Sequence, residues 1–310
     1  MASEAFTAWL LQAETPSIRF LWLQKLAAGS DQQLKEAYSA LGDRGPIPSI
    51  LARQSQAGSW LIDKSFYTPK YTSTHWSMLL LSELGVDSAS SHFRSGAEYM
   101  LSAALEHPLS WFDAYQKDLA CFWANLLRYA LKAGLVDDLR LDAIIGLLVD
   151  NAMRSEWRCR YNYKLPCAWG AARALWSLAA LPQYKRSPRI EAAIQSGLSF
   201  LLDEYSLVEA NYPVHEDGKV HELWSRLSFP LFYQADILLV LRALAELGEL
   251  SQPGAAPALE WLLNRRSPSG RWRGSNPFRS RTWQLGSQEE IDRWVSLQAA
   301  VIFEHSNLGI

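Results

Sequence analysis

The 310-residue chain is 49% apolar and 20% charged, enough to bury a substantial core and unlike a disordered polar tract. Its formal net charge of −2 provides no global field for nucleic acid or an anionic membrane. The opening Met1-Ala2-Ser3-Glu4-Ala5 lacks a basic stretch followed by an apolar one, no apolar run reaches the length of a membrane span, and the cysteines number three. The expectation is a cytoplasmic protein with reduced thiols and no transmembrane segment.

Along the chain, apolar residues recur with helical spacing and almost never alternate as in strands. The N-terminal part predicts helices over 5–12 and 17–28, and a third after Ser30, which has capping-box spacing to Gln33. Then come pairs. First helices are predicted at 47–54, 93–105, 139–152, 188–203 and 256–265, the fourth with Pro188 in its first turn, where a missing N–H costs nothing. Second helices end on similar apolar stripes closed by Gly85, Gly134 and Gly248, glycine being the residue that accepts positive φ at a helix C-cap. The whole of 1–310 is expected to be one all-α domain of about six helix hairpins. Neither end offers a polar capping repeat: Phe20-Leu21-Trp22-Leu23 and Trp294-Val295-Ser296-Leu297 are as apolar as the middle. A closed ring, with the Trp294 helix beside the first forty residues, is therefore expected over an open solenoid.

Two loops carry an aromatic landmark, Gln54-Ser55-Gln56-Ala57-Gly58-Ser59-Trp60 and Arg266-Ser267-Pro268-Ser269-Gly270-Arg271-Trp272, with shorter versions at Ser155-Glu156-Trp157 and Ser110-Trp111. These resemble the Gln/Gly/Trp repeats of squalene–hopene cyclase and of the terpenoid cyclase and protein prenyltransferase superfamily. Phe66-Tyr67-Thr68-Pro69-Lys70-Tyr71 and Phe229-Pro230-Leu231-Phe232-Tyr233 look like segments of short bacterial proteins in that superfamily. The resemblance extends over essentially the whole chain. It implies an α/α toroid and a central aromatic-lined cavity for an isoprenoid or other apolar substrate. The Asp-x-Asp-Asp acid of the cyclases is missing, as is the Asp-x-Cys zinc pair of the prenyltransferases; Asp137-Asp138 reads as a solvated turn between hairpins.

In such a toroid the second helices run parallel, so their N-termini share one mouth with free N–H groups. Candidate residues at that mouth are His75, Asp118, Cys121, Cys167, Tyr233, Asp236 and Trp294. Asp236, flanked by Ala235 and Ile237, reads either as a general acid raised by an apolar cavity or as a helix cap. With Asp236, His75 and Tyr233 are the catalytic candidates. Trp76, Trp123, Trp169 and Trp294, with Tyr71 and Lys70, are the substrate-binding ones, since aromatic faces stabilise carbocations. Cys121-Phe122-Trp123 and Cys167-Ala168-Trp169 occupy matching places in consecutive hairpins, with Cys159 between them. Three thiolates with His75 or Asp236 would suit zinc; the other reading is three small core residues.

The loop 207–228, containing His215-Glu216-Asp217 and His221-Glu222, reads as a lid or as a solvated loop. Six arginines between Arg265 and Arg281 are expected to pair with Glu289, Glu290 and Asp292, the alternative being a phosphate or diphosphate clamp. Lys64, Lys70 and Tyr71 form a second possible anion clamp. Three functions remain open. One is a cyclase- or prenyltransferase-like enzyme with an apolar small-molecule substrate, and another is a non-catalytic toroid binding a ligand or peptide. The third is a carbohydrate-active α/α barrel, which needs two opposed carboxylates. A single buried acid among aromatics would favour the first, and none the second.

Overall fold

The structure is a computed structural model that describes residues 3–60, 65–106, 119–215 and 218–306. Among these residues there are thirteen α-helices: α1 (Glu4–Leu11), α2 (Pro16–Lys25), α3 (Asp31–Ser39), α4 (Pro46–Leu51), α5 (Thr74–Glu83), α6 (Ser91–Leu101), α7 (Ala120–Lys132), α8 (Arg140–Met153), α9 (Ala168–Leu178), α10 (Pro188–Leu198), α11 (Ile237–Leu247), α12 (Ala256–Leu263) and α13 (Gln288–His305). The strand content is one two-residue antiparallel pair, β1 (Arg158–Cys159) and β2 (Leu165–Pro166). The fold is all-α, and no described helix is long and apolar enough to cross a membrane.

The helices fall into two layers. In α5 every residue from Thr74 to Ser82 is buried, and α9 and α11 are buried almost all round, as a helix must be when other helices surround it. By contrast α6, α8 and α10 bury one stripe each. The inner layer packs in succession, α5 on α7, α7 on α9, α9 on α11 and α11 on α13, and α13 in turn packs on α2.

Local chemistry fixes the element ends. Ser30 and Gln33 form the expected capping box, Ser187 caps α10 ahead of Pro188, and Gly85, Gly134 and Gly248 all have positive φ. The helices expected over 93–105 and 188–203 stop earlier, at Leu101 and Leu198, and finish in π turns, Ser102–Glu106 and Ser199–Glu204.

The two aromatic loops are built alike. Trp60 Nε1 donates to Ile50 O (2.7 Å) at the end of α4, and Trp272 Nε1 donates to Leu262 O (2.7 Å) at the end of α12. Their backbone N–H groups donate to Thr74 Oγ1 and Ser296 Oγ, each at 2.9 Å, on α5 and α13. One indole thus ties an outer helix end to an inner helix. Gly58 is required for more than its φ of 86°, because a Cβ there would lie 2.5 Å from the Ser95 carbonyl oxygen.

The chain's two ends are joined through charge. Glu290, 0% exposed, accepts the N–H groups of Glu14 (3.0 Å) and Thr15 (3.2 Å) and pairs with Arg293 at 2.6 Å. Arg293 Nε donates to Trp9 O (3.1 Å), and Trp9 Nε1 donates to Glu289 (2.8 Å). Glu289 and Glu290 are therefore taken by Arg293, correcting the expectation that they pair with the six arginines of 265–281. Four of those arginines find aromatic faces instead: Arg265 lies over Trp261 (4.1 Å), Arg266 over Trp272 (5.6 Å), Arg271 over Trp9 (4.4 Å) and Arg281 over Tyr71 (5.4 Å). The Asp292 carboxylate accepts from Gly274 N and Gln288 Nε2.

Removing one member of a buried ion pair strands the other charge. Glu290→Ala also orphans two backbone donors, so it should destabilise the whole chain by about 3–5 kcal/mol in urea unfolding. A change below about 1 kcal/mol would show that this junction is not a structural tie.

Candidate binding cavity

A chain segment runs through the middle of the inner layer. Leu227 and Phe229 bond to Ser275 as an isolated bridge: Ser275 N donates to Leu227 O and Phe229 N to Ser275 O, both at 2.8 Å. Beyond it the segment's carbonyls meet inner-helix side chains. Asn125 Nδ2 donates to Phe232 O (3.0 Å), and Arg173 donates to Gln234 O through Nε (2.9 Å) and Nη2 (2.6 Å). Phe229 stacks on Trp294 with centroids 4.4 Å apart, and Phe232 lies 4.9 Å from Tyr71. The segment fills the space that the sequence assigns to a central cavity.

Several candidate residues are therefore packed around it. Trp76, fully buried, donates through Nε1 to Tyr67 O (2.8 Å). His75 stacks on Phe122 (4.5 Å), and its Nδ1 shares a hydrogen bond with Tyr129 Oη (3.1 Å). Burial, then the Arg173 charge, pushes its pKa down to about 3, so the imidazole is neutral. Trp123 is buried against Phe122, and Tyr71 is buried with its Oη 3.5 Å from Gln234 Nε2. Asp236, 1% exposed, is the N-cap of α11: it accepts from Leu239 N (2.8 Å) and from Ser228 N (3.1 Å). Burial raises its pKa to about 7 against the pull of those two N–H groups and of Arg242 and Arg173. It borders a void of only about 10 Å³ with Arg173 and Arg242, too small for an organic substrate.

The open space lies beside the N-terminal ends of α7 and α9. It is a cavity of about 640 Å³ whose wall includes Tyr67, Cys121, Cys159, Cys167, Trp169 and Tyr233, with Lys70 at its edge. Cys167 caps α9, its Sγ accepting from Gly170 N (3.5 Å), while Cys121 lies in the first turn of α7. Trp169 meets Tyr233 edge to face at 6.0 Å, and the Lys70 ammonium stands 4.7 Å from the Tyr233 ring centre. The loop leading to the central segment supplies the outer wall with His215 and His221. Asn162 Nδ2 bonds Pro166 O (2.7 Å) and Pro213 O (3.0 Å), pinning that loop to the β1–β2 hairpin. Tyr163 stacks on His215 at 3.6 Å. No carboxylate is among the described residues of this wall.

Of the sequence candidates, the cavity gathers Tyr233, Trp169, Lys70 and all three cysteines. It leaves out His75, Asp236, Trp76, Trp123, Tyr71 and Trp294, the last of which borders a different cavity. Lys64, Trp111, Asp118, Glu216 and Asp217 lie outside the described residues. Tyr67, Tyr161 and Tyr163 were not singled out from the sequence, although the Tyr161-Asn162-Tyr163 repeat next to two cysteines offered a signal.

The thiols are chemically quiet. Burial, then Cys159, pushes Cys121 up to about 12; the hydrogen bond with Cys159, then burial, raises Cys167 well above its ordinary value. Zinc ligation needs thiolates gathered around one point. Among the described residues no three His, Cys, Asp or Glu side chains come together in that way, so the zinc reading finds no ligand set there. No protein-family model and no curated protein matches the chain.

The two buried titrating groups oppose one another in pH dependence. His75 has a folded pKa of about 3 and an unfolded one of about 6.5. The unfolded chain therefore binds more protons in between, and this group makes stability rise with pH up to about 6.5. Asp236 has a folded pKa of about 7 and an ordinary value of 3.8; its contribution is greatest at low pH and is lost as pH rises through the window from about 4 to 7. Asp236→Asn should thus make stability rise more steeply between pH ~4 and ~6.5, and His75→Gln should make it flatter or falling, by roughly 1–3 kcal/mol across the window. Urea unfolding over that range checks both, and parallel curves for all three proteins would contradict the assignment.

Proposed function

We propose that the two helical layers close into an α/α toroid of about six hairpins, and that the protein holds an apolar small molecule, isoprenoid in kind, at one mouth. The observation that carries this reading is the wall of the 640 Å³ cavity: aromatic and thiol surface, two lysines, Lys70 and Lys219, and no carboxylate among its described residues. That volume lies within the usual range for small-molecule sites. Neutral thiols are soft apolar surface, and Tyr67, Trp169 and Tyr233 offer ring faces to an unsaturated chain. Lys70 would face an anionic head group.

The reading is of binding first. A cyclase that starts by protonating an alkene needs its acid inside the cavity, whereas Asp236 is committed to two backbone N–H groups elsewhere. Glycoside hydrolysis needs two opposed carboxylates, for which the described wall has no residues.

Titration calorimetry with farnesol and farnesyl diphosphate tests the proposal. Both should bind saturably, the diphosphate more tightly. Trp169→Ala should weaken both by about tenfold or more, the loss of one large aromatic contact, and Lys70→Ala should weaken the diphosphate alone. Absence of saturable binding, or a Trp169→Ala protein that binds both ligands normally, would refute it.

A further inference from the structure

At the other end of the inner layer lies a second cavity, of about 280 Å³, with residues from α2, α5, α7, α9, α11 and α13 in its wall. Its chemistry is the reverse of the first. Four cations, Lys25, Arg128, Lys132 and Arg242, face two carboxylates, Glu83 and Glu246. Both carboxylates are already taken by arginines. Arg128 holds Glu246 through two hydrogen bonds of 2.6 and 2.8 Å, and Arg242 holds Glu83 at 2.9 Å. Lys132 donates to Ser82 O (2.7 Å), and Lys25 has no ion pair or hydrogen bond among the described residues. Neither lysine makes a direct ion pair among the described residues, although Glu246 and Glu83 act on Lys25, and Glu83 and Asp87 on Lys132, through space.

The guanidinium groups are held rigidly. The Trp176 ring, fully buried, has Arg128 at 4.3 Å, Arg242 at 5.3 Å and Arg173 at 5.4 Å from its centre. Arg128 also donates to Trp176 O (2.7 Å). Helix carbonyl ends offset part of the positive charge. At Lys132, desolvation, then Arg128 and Lys25, outweighs Glu83 and Asp87 and lowers the pKa to about 8.

We propose that this cavity is a binding site for a small dianion, of the chemistry of phosphate, diphosphate or a short dicarboxylate, held between Lys25 and Lys132 beside the Arg128–Glu246 and Arg242–Glu83 pairs. The anion supplies the two negative charges that the wall lacks, in a partly desolvated site where charge-assisted hydrogen bonds are strong. The site is independent of the apolar cavity and of any ligand bound there.

The test is calorimetric titration of the full chain with inorganic phosphate, diphosphate and succinate, in sodium chloride of matched ionic strength. At least one should bind saturably with a stoichiometry near one. Lys132→Met and Lys25→Met should each raise its Kd at least tenfold, and Lys25, open at the cavity mouth, tolerates replacement even if the Lys132 variant folds poorly. Above the Lys132 pKa of about 8, binding should take up protons from the buffer, and Lys132→Met should reduce that uptake. No saturable binding by any of the three, or equal binding by the folded lysine variants, would overturn the proposal.

Discussion

The organisation of this molecule depends on a polypeptide segment running through an otherwise apolar interior. A buried extended chain must satisfy its backbone groups, because each orphan costs on the order of 1–3 kcal/mol. Here the inner helices donate the partners: Asn125 and Arg173 reach the carbonyls of Phe232 and Gln234, and Asp236 accepts the N–H of Ser228. Arg173 is itself nearly fully buried and is spared an uncompensated charge by two hydrogen bonds to one carbonyl and by the nearby Glu83, then Asp236. The segment thereby separates an aromatic cavity at one end from a charged one at the other. The two compartments differ in chemistry because different helix ends face them.

The same economy recurs at the periphery. A tryptophan spends its apolar ring on packing and its N–H on a helix-end carbonyl, which is the polar group left unpaired when a helix stops. Trp60 and Trp272 do this in matching loops, and Trp224 Nε1 donates to a turn carbonyl, Leu207 O. Glu290 does the equivalent for the two donors at the start of α2 while neutralising Arg293. These three tryptophans are thus structural, and among the described residues Trp169 is the tryptophan that lines the cavity with the thiols.

Helical elements were legible in the sequence because their signals are local. Apolar periodicity, the Ser30–Gln33 box, Pro188 and the glycines at 85, 134 and 248 each act within a turn or two, and all appear where expected. Cys121 and Cys167, at matching places in consecutive hairpins, line one cavity, and Asp236, which reads as either acid or cap, has the geometry of a cap. What a sequence does not state is which residues fill the middle. No local signal in Phe229 to Asp236 shows that this segment is buried between helices, so the sequence places Trp76 and Trp294 at an open mouth, whereas Phe232 and Phe229 of that segment pack on them. Long-range partners were equally hidden. Four of the arginines of 265–281 lie over rings, and the charged cavity collects one or two Lys, Arg or Glu residues from each of four helices, with no motif along the chain.

All three cysteines of the chain line the aromatic cavity, so a thiol reagent reports on that space and nowhere else. The most direct test of the account is the rate at which a small disulfide reagent modifies them, with and without farnesol, at pH 7–8. The account predicts slow reaction in the native protein at Cys121 and Cys167, whose thiols are held protonated, and further protection of all three cysteines when farnesol is bound, with none from inorganic phosphate. Thiols that react at the rate of the unfolded chain, or that farnesol leaves unprotected while it binds, would contradict it.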